Sequence, residues 1–177
     1  MKMKKGKINN NLEIFNDMYR EMFNDIDKDE RKREYYIGLV NDLLLAPKEM
    51  IDFCNEDLQR VPDNSNVLIL GGGYGGEANR MKLQYRKYNL YTQDISPWAE
   101  KAGKKLVENV NFITGDMCSL DFPDDFFNIV ISTHSLEHTS EIDKTMAEVF
   151  RVIKDKGLFG LSYPYEWETD GQHVYKF

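Results

Sequence analysis

The segment Val67–Arg80, with the sequence VLILGGGYGGEANR, constrains the fold of this 177-residue chain more than any other stretch. A short apolar run enters a cluster of five glycines and leaves through a sequence of helical character. A continuous apolar run of this length is typical of a parallel strand that is buried on both faces. The residues Gly71, Gly73 and Gly75 permit positive φ angles and leave the backbone without Cβ atoms. We therefore predict a strand, a tight turn and a helix, with the turn open to close approach by a ligand.

Strand and helix patterns alternate through the rest of the chain. Apolar runs predict further strands at 89–94, 110–114, 127–132 and 158–163, after a first strand at 66–71. Helices are predicted at 77–86, at 97–108 with Pro97 in the first turn, and at 140–157. The last helix combines a capping box from Ser140 to Asp143 with two lysines and Gly157 at its end. This alternation predicts an α/β fold with a doubly wound, mainly parallel sheet.

The residues before Pro62 carry a different pattern. Apolar residues recur at helical spacing in a first stripe and again in a second and a third. The first stripe contains Phe15, Met18, Tyr19, Met22, Phe23 and Ile26; the second contains Tyr36, Leu39, Val40, Leu43 and Leu44; the third begins at Pro47 and contains Met50, Ile51, Cys54 and Leu58. We predict an N-terminal helical cap at 1–62 and a sheet domain at 63–177.

Composition limits the partners. The net charge of −7 gives no broad attraction for nucleic acid or for an anionic membrane surface. No apolar run approaches the roughly 20 residues that cross a bilayer. Cys54 and Cys118 are far apart and lack metal-ligand spacing, which favours reduced, buried thiols of a cytoplasmic protein. We expect a cytoplasmic protein with a small-molecule partner.

The end of the second predicted strand suggests which ligand the glycine turn takes. Ligands of doubly wound sheets bind at the carboxyl ends of the strands. Asp94 lies there, about twenty residues after the turn, where a carboxylate accepts hydrogen bonds from a ribose diol. Because Gly71, Gly73 and Gly76 also satisfy the dinucleotide pattern G-x-G-x-x-G, a nicotinamide or flavin enzyme remains open at this point, as does a turn without a ligand.

The third and fourth predicted strands supply further motifs, FITGDM with Asp116 and IVISTHSLEH at 129–138. With them, the chain from about Asn66 to Tyr163 resembles the class I S-adenosylmethionine-dependent methyltransferases, in particular the type-11 group. The resemblance implies a Rossmann-like sheet of order 3-2-1-4-5 and S-adenosyl-L-methionine as cofactor. It further implies transfer of a methyl group to an oxygen or nitrogen of a small-molecule or sugar-like acceptor.

The resemblance also assigns site residues. Asp94 would hold the ribose, Asp116 the adenine amino group, and Met117 would pack near the adenine ring, while the loop after the fourth strand would follow the methionine portion. The full set of implied cofactor-binding residues is Gly71, Gly72, Gly73, Gly75, Asp94, Ile95, Asp116, Met117, Ser132 and His134. His134 and His138 are the candidate general bases, because imidazole accepts protons near neutral pH.

The histidine segment permits other interpretations. His134, Glu137 and His138 stand at i, i+3 and i+4, so a single helical turn would bring them to one face with metal-ligand spacing. His173 would complete such a site. In many type-11 proteins, however, a Leu-Glu-His sequence holds the loop without a metal. We therefore assign no metal.

Two features depart from the family pattern. The family carries an acid two residues before the first glycine, where this chain has Ile69. Glu77 is a candidate substitute, and a solvated carboxylate or one at a helix N-terminus is the simpler interpretation. The family also adds two strands after the fifth, whereas this sequence ends at Phe177. A short natural version, a truncated chain and a homodimer that covers the exposed sheet edge all explain this. The aromatic tail at 163–177 is interpreted as a lid or as packing. A weakly active or inactive donor-binding module is the alternative function.

Overall fold

A computed structural model of the chain describes residues 9–41, 55–85 and 87–162. The helices are α1 (Asn9–Lys28), α2 (Glu30–Asn41), α3 (Asn55–Arg60), α4 (Gly76–Gln84), α5 (Pro97–Leu106) and α6 (Ile142–Val152), with a short 3-10 helix at Leu136–His138. The strands are β1 (Asn66–Leu70), β2 (Asn89–Asp94), β3 (Asn111–Thr114), β4 (Phe127–Thr133) and β5 (Ile153–Ser162). The predicted alternation of strands and helices after Pro62 is confirmed.

The five strands form one parallel sheet in the order β3-β2-β1-β4-β5. This confirms the predicted doubly wound fold and its order 3-2-1-4-5. Strand β1 lies in the middle, with Ile69 level with Thr92 of β2 on one side and with Ile131 of β4 on the other. Strands β2 and β3 follow on one side of β1, and β4 and β5 on the other, so the strand order changes direction between β1 and β4. Doubly wound sheets bind ligands beside this point.

Both faces of the sheet are covered, which explains the continuous apolar runs. On one face, Ala78 and Met81 of α4 pack against Ile69 and Ile131. On the other, Val149 and Val152 of α6 pack against the alternate residues of β1 and β4, including Leu68, Leu70 and Val130. Successive residues of a strand point to opposite faces, so each central strand needs apolar residues at every position.

The N-terminal helices pack directly onto the sheet domain. The predicted stripe of α1 brings Tyr19, Met22 and Ile26 against Ala99 and Ala102 of α5. From α2, Val40 packs with Val107 and Phe112, and Leu58 of α3 enters the core on the α4 face. These helices share their cores with the sheet layers, and the boundary at residue 62 remains a prediction. The predicted positions 42–54 lie outside the described residues.

The prediction of a helix over 140–157 is wrong at both ends. Helix α6 begins at Ile142, with Glu141 and not Ser140 in the N-cap position, and ends at Val152. The following residues, including Lys154, Lys156 and Gly157, belong to β5. Backbone N–H groups of Asp125 and Phe126 donate to the carbonyls of Arg151 and Val152, and Ile153 pairs with Phe127. Pairing with β4 therefore begins where the local sequence still favours a helix.

Within the described residues, no helix has the length and apolar content that crossing a membrane requires.

Candidate active site

The glycine turn after β1 has the backbone geometry that its sequence predicts. Gly71, Gly73 and Gly75 have φ angles of 68°, 54° and 91°, in the left-handed region that favours glycine. The N–H groups of Gly71 and Gly72 donate to the carbonyl of Gln93 at 2.8 and 3.1 Å. A Cβ atom on Gly71 would lie 2.3 Å from the Cβ of Ser135. The turn therefore lies close to the ends of both β2 and β4.

Asp94 ends β2 directly beside this turn. One carboxylate oxygen accepts a hydrogen bond from the Gly73 N–H at 3.0 Å, and the other accepts one from the Ser96 N–H at 2.9 Å. Burial raises the pKa of Asp94, while the hydrogen bonds from Ser96 and Gly73 and the charge of His138 oppose that rise. An ionised carboxylate has about four lone-pair sites, so roughly two remain for further donors.

A cavity of about 330 Å³ opens at the carboxyl ends of the strands. This volume lies within the range of small-molecule sites, roughly 300–1,000 Å³. The lining residues come from α1, from the ends of β1 to β4 and from the loop after β4: they are Leu12, Phe15, Tyr19, Gly71, Asp94, Ile95, Asp116, Met117, Cys118, His134, Ser135, His138, Thr139, Ser140 and Glu141. The cavity lies at the edge of the sheet where the topology predicts a ligand.

Most of the predicted site residues border this cavity. They are Gly71, Asp94, Ile95, Asp116, Met117, His134 and His138. Asp116 also accepts a hydrogen bond from the Cys118 N–H at 2.8 Å, which holds the turn after β3. The structure thus brings together residues from four separate strand ends, because the carboxyl ends of parallel strands meet at one edge.

Four predicted cofactor residues lie off the cavity wall. The missing Cβ positions of Gly72 and Gly75 face the side chains of Ile69 and Thr92 and of Phe112, respectively, so these glycines permit packing beneath the turn. The Gly73 position faces the hydroxyl of Tyr19. Ser132 is fully buried, and its hydroxyl lies 2.5 Å from that of Ser135. Ser132 faces inward because it alternates with Thr133 along β4.

The histidine segment does not form the single helical turn that would align its three side chains. His134 lies before the 3-10 helix in a left-handed conformation with φ 50°, and its side chain is exposed. Glu137 is only 2% exposed, and its carboxylate oxygens have no hydrogen-bond partner. The Glu137 Oε1 lies 3.7 Å from His134 Nδ1, while the ring of His138 packs edge-on against Phe15 at 5.1 Å. Glu137 is therefore buried, whereas both histidines border the cavity.

A metal cluster finds no support in this part of the chain. Among the residues that the structure describes, no group of three His, Cys, Asp or Glu side chains has the geometry to hold a metal ion. His173, which the sequence offered as a fourth ligand, lies outside the described residues, as does the predicted lid at 163–177.

Helix α1 contributes a wall that the sequence analysis located only in general terms. Leu12, Phe15 and Tyr19 stand at i, i+3 and i+7 and face the cavity together. Tyr19 is nearly buried, and burial together with the charge of Asp94 raises the pKa of its hydroxyl. The apolar stripe of α1 was the sequence feature that could have indicated this wall. Its spacing predicts a packed face but does not show whether that face covers the core or a cavity.

Two further residues differ from their predicted surroundings. Cys118 is half-buried and borders the cavity, with its Sγ 3.3 Å from the hydroxyls of Thr139 and Thr145, so it is not a fully buried apolar side chain. Glu77 is only 6% exposed, so the solvent-exposed interpretation is wrong. The Thr133 hydroxyl donates to Glu77 at 2.9 Å, and burial raises the pKa of Glu77 to about 7.

Comparison with known protein families decides between the ligands that the glycine turn left open. The family profile described as a methyltransferase domain, of type 11, matches residues 68–161, which is more than half of the chain. The chain belongs to the type-11 methyltransferase family. The matched range includes the glycine turn, Asp94, Asp116 and the loop after β4, and the family's cofactor is S-adenosylmethionine.

Individual relatives of this methyltransferase domain are distant. The chain is 29% identical over 116 residues to the sterol 24-C-methyltransferase of Aspergillus fumigatus, covering 60% of the chain and 29% of that protein. It is 29% identical over 141 residues to a 2-methyl-6-phytyl-1,4-hydroquinone methyltransferase of rice, Oryza sativa, covering 75% of the chain and 43% of that protein. The chain thus spans less than half the length of either relative.

A solved structure supports the same architecture. The YcgJ protein from Bacillus subtilis superposes with a TM-score of 0.52 at 29% identity, over 58% of this chain and 45% of that one. The residues of this methyltransferase domain also fit the family's cofactor: the cavity pairs the carboxylates of Asp94 and Asp116 with the apolar side chains of Ile95 and Met117. Ribose and adenine both offer hydrogen-bond donors and apolar surface to such a set.

Proposed function

We propose that this chain is an S-adenosylmethionine-dependent methyltransferase that methylates an oxygen or nitrogen of a small-molecule acceptor, a sugar-like one included. The observation that carries the proposal is Asp94. Its carboxylate lies beside the glycine turn, borders the cavity and keeps lone pairs free for a ribose diol after accepting from Gly73 and Ser96. The membership of the family supports the same donor.

The chain's residues divide the cavity into two parts. Asp94, Ile95, Asp116 and Met117 form the adenosine side, where the two carboxylates accept hydrogen bonds and the two apolar side chains contact the adenine ring. Gly71 borders the cavity, and because it lacks a Cβ the turn can lie directly against Ser135 at the end of β4. The residues of α1 and the loop after β4 form the acceptor side.

The bound donor supplies a methyl group on a positively charged sulfur. What the chain adds is position: in-line transfer requires donor and acceptor atoms near 3 Å apart in the right orientation, which fixed walls provide. His134 and His138 border the cavity, and in this proposal one of them accepts the proton of the acceptor hydroxyl or amine. Phe15 packs against the His138 ring and restricts its orientation.

A carbon acceptor is the second candidate. Leu12 and Phe15 give the acceptor side an apolar wall, which suits an apolar ring or chain as well as a sugar. The names of the two relatives describe a sterol 24-C-methyltransferase and a methyltransferase of a phytyl hydroquinone. These names support the alternative, in which the histidines remove a proton after the new carbon–carbon bond has formed.

Binding of the demethylated product, S-adenosylhomocysteine, tests the donor site by calorimetry. We expect binding in the micromolar to millimolar range and a loss of at least about 100-fold in Asp94→Ala, because both diol hydrogen bonds disappear. The matched control is Asp155→Ala, which removes an exposed carboxylate of β5 beside a different cleft and leaves the affinity unchanged. The absence of any binding by the wild-type chain contradicts the proposal, and binding of NAD instead favours a dinucleotide enzyme.

Methyl transfer itself distinguishes an enzyme from a binding module. Labelled donor is incubated with separate pools of hydroxyl, amine and apolar ring acceptors, and methylated products are identified by mass spectrometry. Products from the first two pools support oxygen or nitrogen transfer, and products from the third support the carbon alternative. A chain that binds donor but methylates none of them supports the donor-binding module.

The oligomeric state and the location in the cell stay predictions. In the described sheet β5 is an edge strand, and its Leu161 is partly exposed, so the predicted homodimer would cover this edge. Sedimentation of the wild type and of Leu161→Lys tests the prediction, since a charge on that edge separates the two copies.

A further inference from the structure

Glu77 is a buried carboxylate that the proposed donor site does not yet use. It lies in the first turn of α4, directly after the glycine turn, and is 6% exposed. Its only hydrogen bond among the described residues comes from the Thr133 hydroxyl at 2.9 Å, and it forms no ion pair in that part of the chain. A buried, ionised carboxylate without a cationic partner is costly, and a positive group that arrives with a ligand would offset that cost.

The face of the sheet on which Glu77 lies leads to the cavity. Ile69, Ile131 and Thr133 point to the α4 face, because residues two apart in a strand share a face and Ile69 is level with Ile131. Glu77 contacts these β4 residues at Thr133, whose hydroxyl donates to the Glu77 carboxylate. The next residue, His134, and Gly71 at the same edge both border the cavity. Glu77 therefore lies directly behind the wall at the junction of β1 and β4.

Ile69 lies on the same face of the sheet, level with Ile131 and two residues deeper than Thr133. It is fully buried, and its Cγ2 lies 2.8 Å from the missing Cβ position of Gly72. This side chain offers no charge to the cavity. Glu77 is a buried acidic group on this face of the sheet, and it enters from the first turn of α4.

We infer that Glu77 recognises the α-ammonium group of the methyl donor, acting as a positioning residue behind the junction of β1 and β4. This inference rests on the proposed function. The ammonium supplies the positive charge that the buried carboxylate lacks. Thr133, which directly precedes the cavity-lining residue His134, donates the hydrogen bond that holds the carboxylate. Donor binding then favours the ionised form of Glu77.

The titration of Glu77 links this contact to pH. Burial raises its pKa to about 7, and only the Thr133 hydrogen bond opposes that rise. Burial and the Thr133 hydrogen bond are the causes of its shift. The charged groups of α2 and α4, Asp94 at the end of β2, and His134 and Glu137 after β4 are not among them. Binding of an ammonium should therefore tighten as pH rises from 6 to 8.

The test compares two nucleosides on the same protein. S-adenosylhomocysteine carries the ammonium group, whereas 5′-deoxy-5′-methylthioadenosine keeps the adenosine and the sulfur but lacks the whole amino-acid portion. Calorimetry measures both affinities at pH 6 and pH 8 for the wild type, Glu77→Gln and Glu77→Asp. Because the second nucleoside reports an intact adenosine site, it also shows that each variant is folded.

We expect Glu77→Gln to weaken S-adenosylhomocysteine about tenfold at pH 8 and little at pH 6, while binding of the methylthio nucleoside is unchanged. Glu77→Asp keeps the charge and should retain the pH dependence. If the ratio of the two affinities is the same in wild type and Glu77→Gln at both pH values, this inference is wrong and the proposed function stands. If the wild type binds neither nucleoside, both are wrong.

Discussion

Two carboxylates flank the glycine turn, and burial affects them differently. Asp94 at the end of β2 is half-buried, accepts hydrogen bonds from two backbone N–H groups and borders the cavity. Glu77 at the start of α4 is almost fully buried and accepts one hydrogen bond from a threonine hydroxyl. Burial raises both pKa values. At Asp94 the backbone donors of Ser96, Gly73 and Ile95 and the charge of His138 oppose the rise, whereas at Glu77 only Thr133 does so.

This difference in hydrogen-bond donors indicates which ligand group each carboxylate suits. A carboxylate that accepts from fixed backbone donors is held in one orientation, and its remaining lone pairs accept from neutral hydroxyls, as a ribose demands. A carboxylate with one weak donor in an apolar layer gains most from a cation. In the proposed site, the β2 side therefore suits a sugar and the α4 side suits a positive charge.

Gly71 joins the two sides, and its substitution should have the largest effect. Its N–H donates to Gln93 at the β2 end, its φ is 68°, and a Cβ would lie 2.3 Å from Ser135 at the β4 end. We expect Gly71→Ala to lower the free energy of unfolding by about 3 kcal/mol and to abolish binding of S-adenosylhomocysteine. Chemical denaturation and calorimetry measure the two effects.

Gly76→Ala is the matched control for that substitution. Gly76 belongs to the same glycine cluster, but a Cβ there meets no atom within 4 Å and its φ is not positive. The free energy of unfolding should change by less than about 1 kcal/mol. Equal losses in the two variants would mean that the left-handed conformation and the close approach to Ser135 do not determine the turn.

Asp94→Asn tests the sugar side without removing the side chain. The amide oxygen still accepts from one backbone N–H, but the charge is lost and the amide group presents a donor to the diol. We expect the affinity for S-adenosylhomocysteine to fall about 50-fold, roughly 2–3 kcal/mol, at every pH between 6 and 8. Calorimetry of the methylthio nucleoside should give the same loss, since the ribose is common to both. A loss confined to one nucleoside contradicts the ribose contact.

The contrast also explains what the sequence could predict. The end of β2 was predictable because strand, turn and carboxylate follow from local patterns, and the topology then brings Asp94 to Gly73. The burial of Glu77 was not predictable, because a carboxylate in the first turn of a helix is usually exposed. It is buried here because Thr133, 56 residues away, lies against that turn.

The same physical reason accounts for the other differences. The residues after Val152 favour a helix locally, yet the chain leaves α6 there because residues 125–127 pair with 151–153. His134, Glu137 and His138 have helical spacing, but the left-handed His134 breaks the turn and Glu137 is buried. Long-range pairing overrides local preference in both places, and a single sequence carries no signal for it.

The free energy of unfolding of Glu77→Gln tests the difference between the two carboxylates. The folded-state pKa of Glu77 is about 7, above its unfolded value near 4.5, so between these pH values the native state binds more protons than the unfolded state. The contribution of Glu77 to the free energy of unfolding therefore falls as pH rises from 4.5 to 7, and this loss then levels off. We expect Glu77→Gln without ligand to be more stable by about 2 kcal/mol at pH 8, with no difference near pH 4. Urea denaturation at the two pH values measures it, with Asp155→Ala as the control that shows no such trend.

The smallest expected effect concerns the backbone at the β4 end. His134 adopts φ 50° while its N–H donates to the Ser162 carbonyl, a conformation that costs a side-chain-bearing residue about 1 kcal/mol relative to glycine. His134→Gly should therefore be more stable to urea than His134→Ala by about 1 kcal/mol. Both variants lack the imidazole, so any loss of methyl transfer through a missing base should be equal in the two. Equal stabilities would show that the strain is absent, and unequal activities would assign the loss to the backbone instead of to the imidazole.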